Sequence, residues 1–449
     1  MAADSEPRSL LRSFLRQAGP NILANVAVPL AGLIDAAMLG HLDALHHLAG
    51  VALATIVFDY LLWTFGFLRM GTTGLAAQAI GRGEPGEALC VAVRAALLGV
   101  CVGALLLALR EPIAAIAFDL LEGTPDVKAA ALDYYRARLW GAPVTLVNYA
   151  LLGWLLGRQR SELVLALSVV GAGVNVGLDY LLIYRLGLAS AGAGYATALS
   201  QACVLIVGLA LVSPALARLR GQLSWRRIVD SAGVRALLGL GRDLAVRTFA
   251  LLTAFAVFTD FSAALGTATL ASNTLLLRVF GLAAFVIDGH AFACEALAGL
   301  MRGRGDQAGL RAVLRIGLYA GVGTGLAFAA ALLAFPGVVF GLLTDHVELV
   351  EQTAASAPWL APVLAVGAAA FILDGYFIGL AAGRTLSRAM LAALALGFAP
   401  LALWARFVAP PALASDGLWA AMTCFMLARV VTLGLGVPAT LRGPSPRAR

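Results

Sequence analysis

The sequence predicts an all-α integral membrane protein with twelve transmembrane helices in two pseudo-symmetric six-helix bundles. Three observations carry this. Of 449 residues, 61% are hydrophobic and 13% charged, with a mean hydropathy of +0.89; a soluble domain is roughly 45–50% apolar and about 25% charged. The chain divides at its charged and Gly/Pro clusters into twelve apolar runs of the length, about 20 residues, that crosses a bilayer. Finally, short landmarks recur in the same order in both halves.

The runs, spans 1 to 12, lie at about 17–40, 48–80, 89–109, 132–157, 163–184, 191–212, 243–266, 269–300, 312–341, 355–381, 387–408 and 416–438. Their flanking charges set the orientation. With an inside N-terminus, the inside segments collect most of the arginines, among them Arg8, Arg12, Arg16, Arg82, Arg94, Arg158, Arg302 and Arg384. The outside segments hold Arg110, Lys128, Arg136, Arg138, Arg185 and Arg406 amid Asp119, Glu122, Asp126, Glu348 and Glu351. By the positive-inside rule both termini are cytoplasmic. The most basic inside loop, 213–242, carries Arg218, Arg220, Arg226, Arg227, Arg235 and Arg242, and separates an N-terminal lobe 1–212 from a C-terminal lobe 243–449.

Around that loop the sequence repeats. GLAAQAIGRGE (74–84) answers EALAGLMRGRGD (295–306), at a shift of 222 (84 to 306). GAPV (141–144) answers LAPV (360–363), at 219 (141 to 360). GWLLGR (153–158) answers GLAAGR (379–384), at 226 (158 to 384). Six spans per half is an even number, so the halves are parallel repeats, an architecture that suits alternating access around a midplane cavity.

Several classes are excluded. The net charge of +7 lies in short clusters between apolar runs, without the basic face that nucleic acid needs. No GxxxxGK[ST] is present, so ATP is not hydrolysed through a P-loop, and GVGTG (321–325) reads as a helix-packing surface. Neither HExxH nor GxSxG occurs, and no cofactor is expected. Cys90, Cys101, Cys203, Cys294 and Cys424 are odd in number and dispersed, which argues against a disulfide framework or a metal cluster. The amphipathic N-terminus lacks a cleavage site, so span 1 is expected to serve as the insertion signal.

An ionisable residue inside a span costs about 2.5–3.5 kcal/mol on insertion scales, which marks each as a functional candidate. Span 1 holds Asp35, preceded by Pro20 and Pro29, which loosen the helix and give it a place to bend. In span 5, Asn175 and Asp179 share a face one turn apart, and such a pair binds a small cation or holds a proton. Thr197 in span 6 and Tyr134 and Asn148 in span 4 add neutral oxygens; interhelical hydrogen bonding is the alternative role for this set. The second half has Asp260, Arg278, Asp288, Glu295 and Asp374, for which a structural salt bridge is the simpler reading. Arg69 and Arg429, near span ends or gaps, read as anchors or partners of acids.

The segments PNILANVAVPLAGLIDAAMLGHLD (20–43), GFLRMGTTGLAAQAIGRG (66–83), GVNVGLDYLLI (173–183), VIDGHAFACEALAGLMRGRGD (286–306) and ILDGYFIGLAAGR (372–384) resemble the MATE (multidrug and toxic compound extrusion) transporters, and within them the DinF-like subfamily. The resemblance runs through essentially all twelve spans. It implies two six-helix bundles with a drug cavity between them, and a secondary exporter of a bacterial inner membrane or its equivalent. Amphipathic, often cationic compounds, small-molecule drugs or toxic organic cations, would leave in exchange for H⁺ or Na⁺, without nucleic acid or ATP, with membrane lipid as the surrounding partner.

By the same resemblance, Asp35 takes part in proton binding and in bending of span 1. Asp179, Asn175, Thr197, Asn148 and Tyr134 form the polar network that binds H⁺, or Na⁺ at Asp35, Asp179 and Asn175. Arg278 contacts substrate or Asp35. The chain departs from the NorM-like branch in lacking a clear matching span 7 glutamate, with Asp260 nearby instead. The alternative is a lipid-linked oligosaccharide flippase of the same superfamily, whose cavity would be rich in Arg or Lys; the acidic first half disfavours it.

Overall fold

In the computed structural model, residues 5–442 are described, apart from Asp43 and Asp345. Among them there is no strand. Eleven helices are long and apolar enough to cross a membrane, or twelve when Pro125–Leu139 and Ala142–Gly157, bent by 53°, form one span. Those before the bend are Ser9–Gly40, His46–Gly81 and Pro85–Ala108; those after it are Ser161–Arg185, Ala189–Gln222, Trp225–Ala264, Thr267–Arg304, Gln307–Ala334, Glu348–Gly379, Gly383–Phe407 and Leu413–Thr440. Eleven of the twelve expected runs thus coincide with one of these helices, and the fourth coincides with the bent pair.

Polar ends lengthen several of these helices. The basic connector, expected as a loop, is largely helical. The sixth span continues to Leu219, a 3₁₀ turn covers Arg220–Gln222, and Trp225–Ile228 forms a short helix. Ser224 and Asp230 open the next helices by accepting hydrogen bonds from the amides of Arg227 and Gly233. Arg94, expected at a loop, is instead buried in the third span. Its guanidinium donates to Glu87 Oε1 at 2.7 Å and to the carbonyls of Ile228, at 2.9 Å, and Arg227, so it pins the connector to that helix.

The repeat is visible in contacts as well as letters. A Cβ added to Gly153 would strike the carbonyl of Arg69, and one on Gly375 that of Ala291. Likewise Gly157 meets the carbonyl of Thr73, and Gly379 that of Glu295. One shift of 222 relates all of them (69 to 291, 73 to 295, 153 to 375, 157 to 379), so spans 2 and 4 pack as spans 8 and 10 do. The shifts of 219 and 226 read from GAPV and from the Gly-Arg pairs straddle this register. Left-handed Gly83 and Gly305 close spans 2 and 8, again 222 apart, in a conformation that a Cβ disfavours. A π-helical segment occurs in each half, at Tyr180–Arg185 and at Ala393–Phe398.

Contacts group the chain into two compact units. One is Leu23–Gly241; the other joins Met1–Ile22 to Arg242–Arg449. Both boundaries fall inside continuous helices, Ser5–Gly40 and Ser231–Ala264. In the second unit Phe14 stacks on His290 at 6.1 Å, and Ile22 lies so close to Gly289 that no side chain fits between them. Each unit has its own apolar core, around Phe58, Tyr135 and Leu146 in the first and around Phe258, Phe280, Trp419 and Phe425 in the second.

Candidate ion and substrate site

Within the unit Leu23–Gly241, the helix Ser5–Gly40 runs unbroken past Pro29 and carries Asp35. The fifth span presents Asp179 at the last residue of its α-helical part, where the backbone widens into the π turn Tyr180–Arg185. Such π turns frequently mark functional sites. This turn is tied back to span 1, because Tyr184 Oη donates to the carbonyl of Met38 at 2.7 Å.

The carboxyls of Asp35 and Asp179 face each other across spans 1 and 5. Asp179 is wholly enclosed, and neither of its oxygens, nor Oδ1 of Asp35, accepts a hydrogen bond from an N–H or hydroxyl of the rest of the described chain. Two carboxyls side by side in a low dielectric repel when both are ionised, and a shared proton removes that repulsion. Asn175, one turn earlier on the same span, is buried with its Nδ2 unpaired.

The other first-half candidates separate into two groups. Tyr134 is buried, and its hydroxyl accepts from Arg138 Nη1 at 2.8 Å. The Arg138 guanidinium also lies over the Phe58 ring at 4.4 Å. Thr197 and Asn148 are committed elsewhere. Thr197 Oγ1 donates to the carbonyl of Ala193 on its own helix at 3.0 Å, and Asn148 Nδ2 donates to both the carbonyl and Oε1 of Gln201 at 2.9 Å. The structure therefore brings Asp35 and Asp179 together, with Asn175 one turn before Asp179, and pairs Tyr134 with Arg138.

Arg278 and Pro20 belong to the other unit. Arg278 is exposed on span 8, as Asp260 is on span 7. In that unit the buried carboxylate is Asp374, whose Oδ2 accepts from Arg429 Nη2 at 2.6 Å and from Arg247. The salt-bridge reading and the pairing of Arg429 with an acid hold here. Arg247 went unnoticed because it follows Arg242 so closely that it reads as the loop's edge. Arg138 and Gln201 were missed too, although Arg138 sits one helical turn after Tyr134, a spacing that places both on one face. Among the described residues no group of three or more His, Cys, Asp or Glu suits a metal ion.

A MatE family model matches residues 20–181 and 244–404, one copy in each half. DNA damage-inducible protein F of Escherichia coli (strain K12) is 34% identical over 420 residues, 92% of this chain and 89% of that protein. A probable multidrug resistance protein NorM of Synechococcus is 30% identical over 376 residues, 82% of this chain and 80% of that one. Among solved structures, the outward-facing conformation of a multidrug resistance MATE family transporter of the MOP superfamily superposes with a TM-score of 0.86 at 21% identity, covering 96% of each chain.

Proposed function

The chain belongs to the MatE family, as a membrane transporter and not an enzyme, and from that premise we propose that it exports amphipathic, often cationic compounds in exchange for protons. Similarity to multidrug resistance proteins supports drug-like substrates, and the parallel repeat supports alternating access by the two halves of the chain. The proposed location is a bacterial inner membrane, with both termini in the cytoplasm.

The observation that carries this reading is the fully buried Asp179 carboxyl, without a hydrogen-bond donor, facing Asp35. Like charges at contact in a low dielectric do not both stay ionised, so the pair keeps one proton and titrates as a unit. Taking up another neutralises it and removes its pull on cations. In our reading, outside protons load the pair, its bonds across spans 1 and 5 rearrange, span 1 bends near Pro29 and the compound is expelled. Asn175, Tyr134, Asn148 and Thr197 serve as polar surroundings, and Asp35 and Arg278 as the groups that the compound meets. Linkage requires proton and compound to compete, directly or through the bend.

The test is ethidium uptake by everted vesicles under an imposed pH gradient and, separately, an imposed Na⁺ gradient, for the wild type and Asp35→Asn. Uptake driven by protons and lost in the variant is expected. Uptake that follows only Na⁺, or survives intact in Asp35→Asn, overturns the reading.

A further inference from the structure

We propose that the connector between the halves carries a binding site for the headgroup of an anionic phospholipid, formed by Arg218, Arg220 and Arg226 with the Trp225 ring beside them. The inference goes beyond the transport reading and uses none of the carboxyls inside the spans.

The three arginines fall within one short stretch (218 to 226) at the end of span 6, and all are exposed. Other exposed arginines of the same unit have acids of their own: Arg82 bonds Glu84 at 2.8 Å, and Arg160 lies 3.8 Å from Glu162. Within the connector, Arg227 donates to the carbonyl of Gln222 at 3.1 Å and to Glu87 at 3.5 Å, and Arg235 to the carbonyl of Ser231 at 3.1 Å. Asp230, the one acid of 213–242, accepts from the amide of Gly233. The side chains of Arg218, Arg220 and Arg226 have no ion pair or hydrogen bond among the described residues. Three positive charges therefore stand together without a counter-charge on the chain.

Trp225, between Arg220 and Arg226, is 67% exposed, and Val229 is 48% exposed. The Val229 amide donates to the Trp225 carbonyl at 3.0 Å, so the two side chains lie one turn apart as an exposed apolar pair. Water and dissolved ions satisfy bare charge, but not an indole. A tryptophan among arginines suits the boundary between headgroups and acyl chains, where its ring is at home and guanidinium forks grip phosphate oxygens. In the proposed orientation this is the cytoplasmic leaflet, whose anionic lipid attracts basic segments.

The patch is also held from beneath. Buried Arg94 of span 3 donates to the carbonyls of Ile228 and Arg227, which close the short helix Trp225–Ile228. A Cβ on Gly233 would lie 2.6 Å from the Arg94 Cζ, and one on Gly86 would strike the Gln222 side chain, so the connector packs on span 3 without a gap. The fold thus sets the face that meets lipid, and a headgroup bound there is tied to span 3 through Arg94.

The experiment titrates the detergent-purified protein with phosphatidylglycerol or phosphatidylcholine and counts bound lipid by native mass spectrometry. The wild type is expected to retain phosphatidylglycerol in preference. Arg218→Gln, Arg220→Gln and Arg226→Gln together are expected to lower that affinity by about a hundredfold, from about fivefold per arginine. Arg82→Gln, Arg160→Gln and Arg304→Gln together remove the same charge elsewhere and are expected to leave it in place. Quenching of tryptophan fluorescence by brominated phosphatidylglycerol is measured alongside, and Trp225→Phe, which removes one of seven tryptophans, is expected to abolish the largest part of it. Unchanged binding in the connector triple overturns the site. An equal loss in both triples also overturns it, by showing attraction to net charge alone, and so does displacement of the lipid by glycerol phosphate at matching concentration, which marks a site for free phosphate. Quenching that survives Trp225→Phe undiminished removes the indole from the site and overturns the proposal even if the triples do not fold.

Discussion

Asp35 and Asp179 in one unit and Asp374 in the other are all carboxyls inside apolar helices, yet their neighbours differ. The first two face each other, and neither oxygen of Asp179 has a hydrogen-bond donor. Asp374 has two guanidiniums on one oxygen, and one of them, Arg429, is fully enclosed between Phe371 and Phe425 at 5.2 and 5.6 Å. A carboxyl facing its own kind can gain or lose a proton at modest cost. One clamped by two fixed cations cannot do so without stranding them. Partners, more than residue type or depth, separate a group that exchanges protons from one that braces the fold.

This contrast makes its strongest prediction at Asp374. Asp374→Asn strands two buried arginines and is expected to destabilise the protein by about 3–5 kcal/mol, seen as a large drop in thermal midpoint in detergent. Replacing Asp374, Arg247 and Arg429 together by apolar residues of similar volume is expected to recover most of that loss. If the single variant melts like the wild type, the bracing role is wrong. Asp35→Asn is expected to do the reverse, with a near wild-type melt and proton-driven uptake lowered by about a hundredfold, the scale of a lost essential proton transfer. Gly194→Val forces span 6 away from the backbone of Tyr134 and Arg138, and is expected to cost about 1–3 kcal/mol through overpacking while blunting uptake more than melting.

The smallest expected effect is at Glu111, on the helix Arg110–Leu120 outside the spans. Arg136 lies 2.8 Å from it and holds its carboxyl below the usual carboxylate range. A lowered folded-state value adds stability above the ordinary carboxylate value, which is lost as pH falls through the lowered one. Both side chains are half exposed, so solvent screens the pair, and Glu111→Gln should leave the melt between pH 7 and pH 3 almost unchanged. A clear loss of stability at neutral pH would show that exposed pairs matter here as much as the enclosed Asp374 cluster.

The spans were legible because a bilayer demands long apolar runs, and the carboxyls because charge inside such runs is rare. Asp35, Asp179 and Asp374 stood out for that reason. What pairs with what was less legible. Arg138 looked like an outside charge because span 4 begins in polar sequence and regains its apolar character only after the break at Trp140 and Gly141. Arg94 looked like a loop charge for a similar reason, although the connector folds back onto it. Asn148 and Thr197 were rightly seen as polar groups inside helices, but whether such a group faces a site or its own backbone depends on rotamers that spacing does not encode. The π turn beside Asp179 has no sequence signature of its own.

The placement of both unit boundaries within helices also bears on how the chain acquires its structure. Residues 9–22 find their packing partners, His290 and Gly289 among them, only after most of the protein has been synthesised. Until then the start of the first span lacks those partners. Insertion of the first six spans is thus separable from their completion, and a cut within 213–241 yields an N-terminal fragment whose leading helix has an unfilled place in the other fragment. Two such fragments have a built-in means of finding each other, the borrowed end of the first helix.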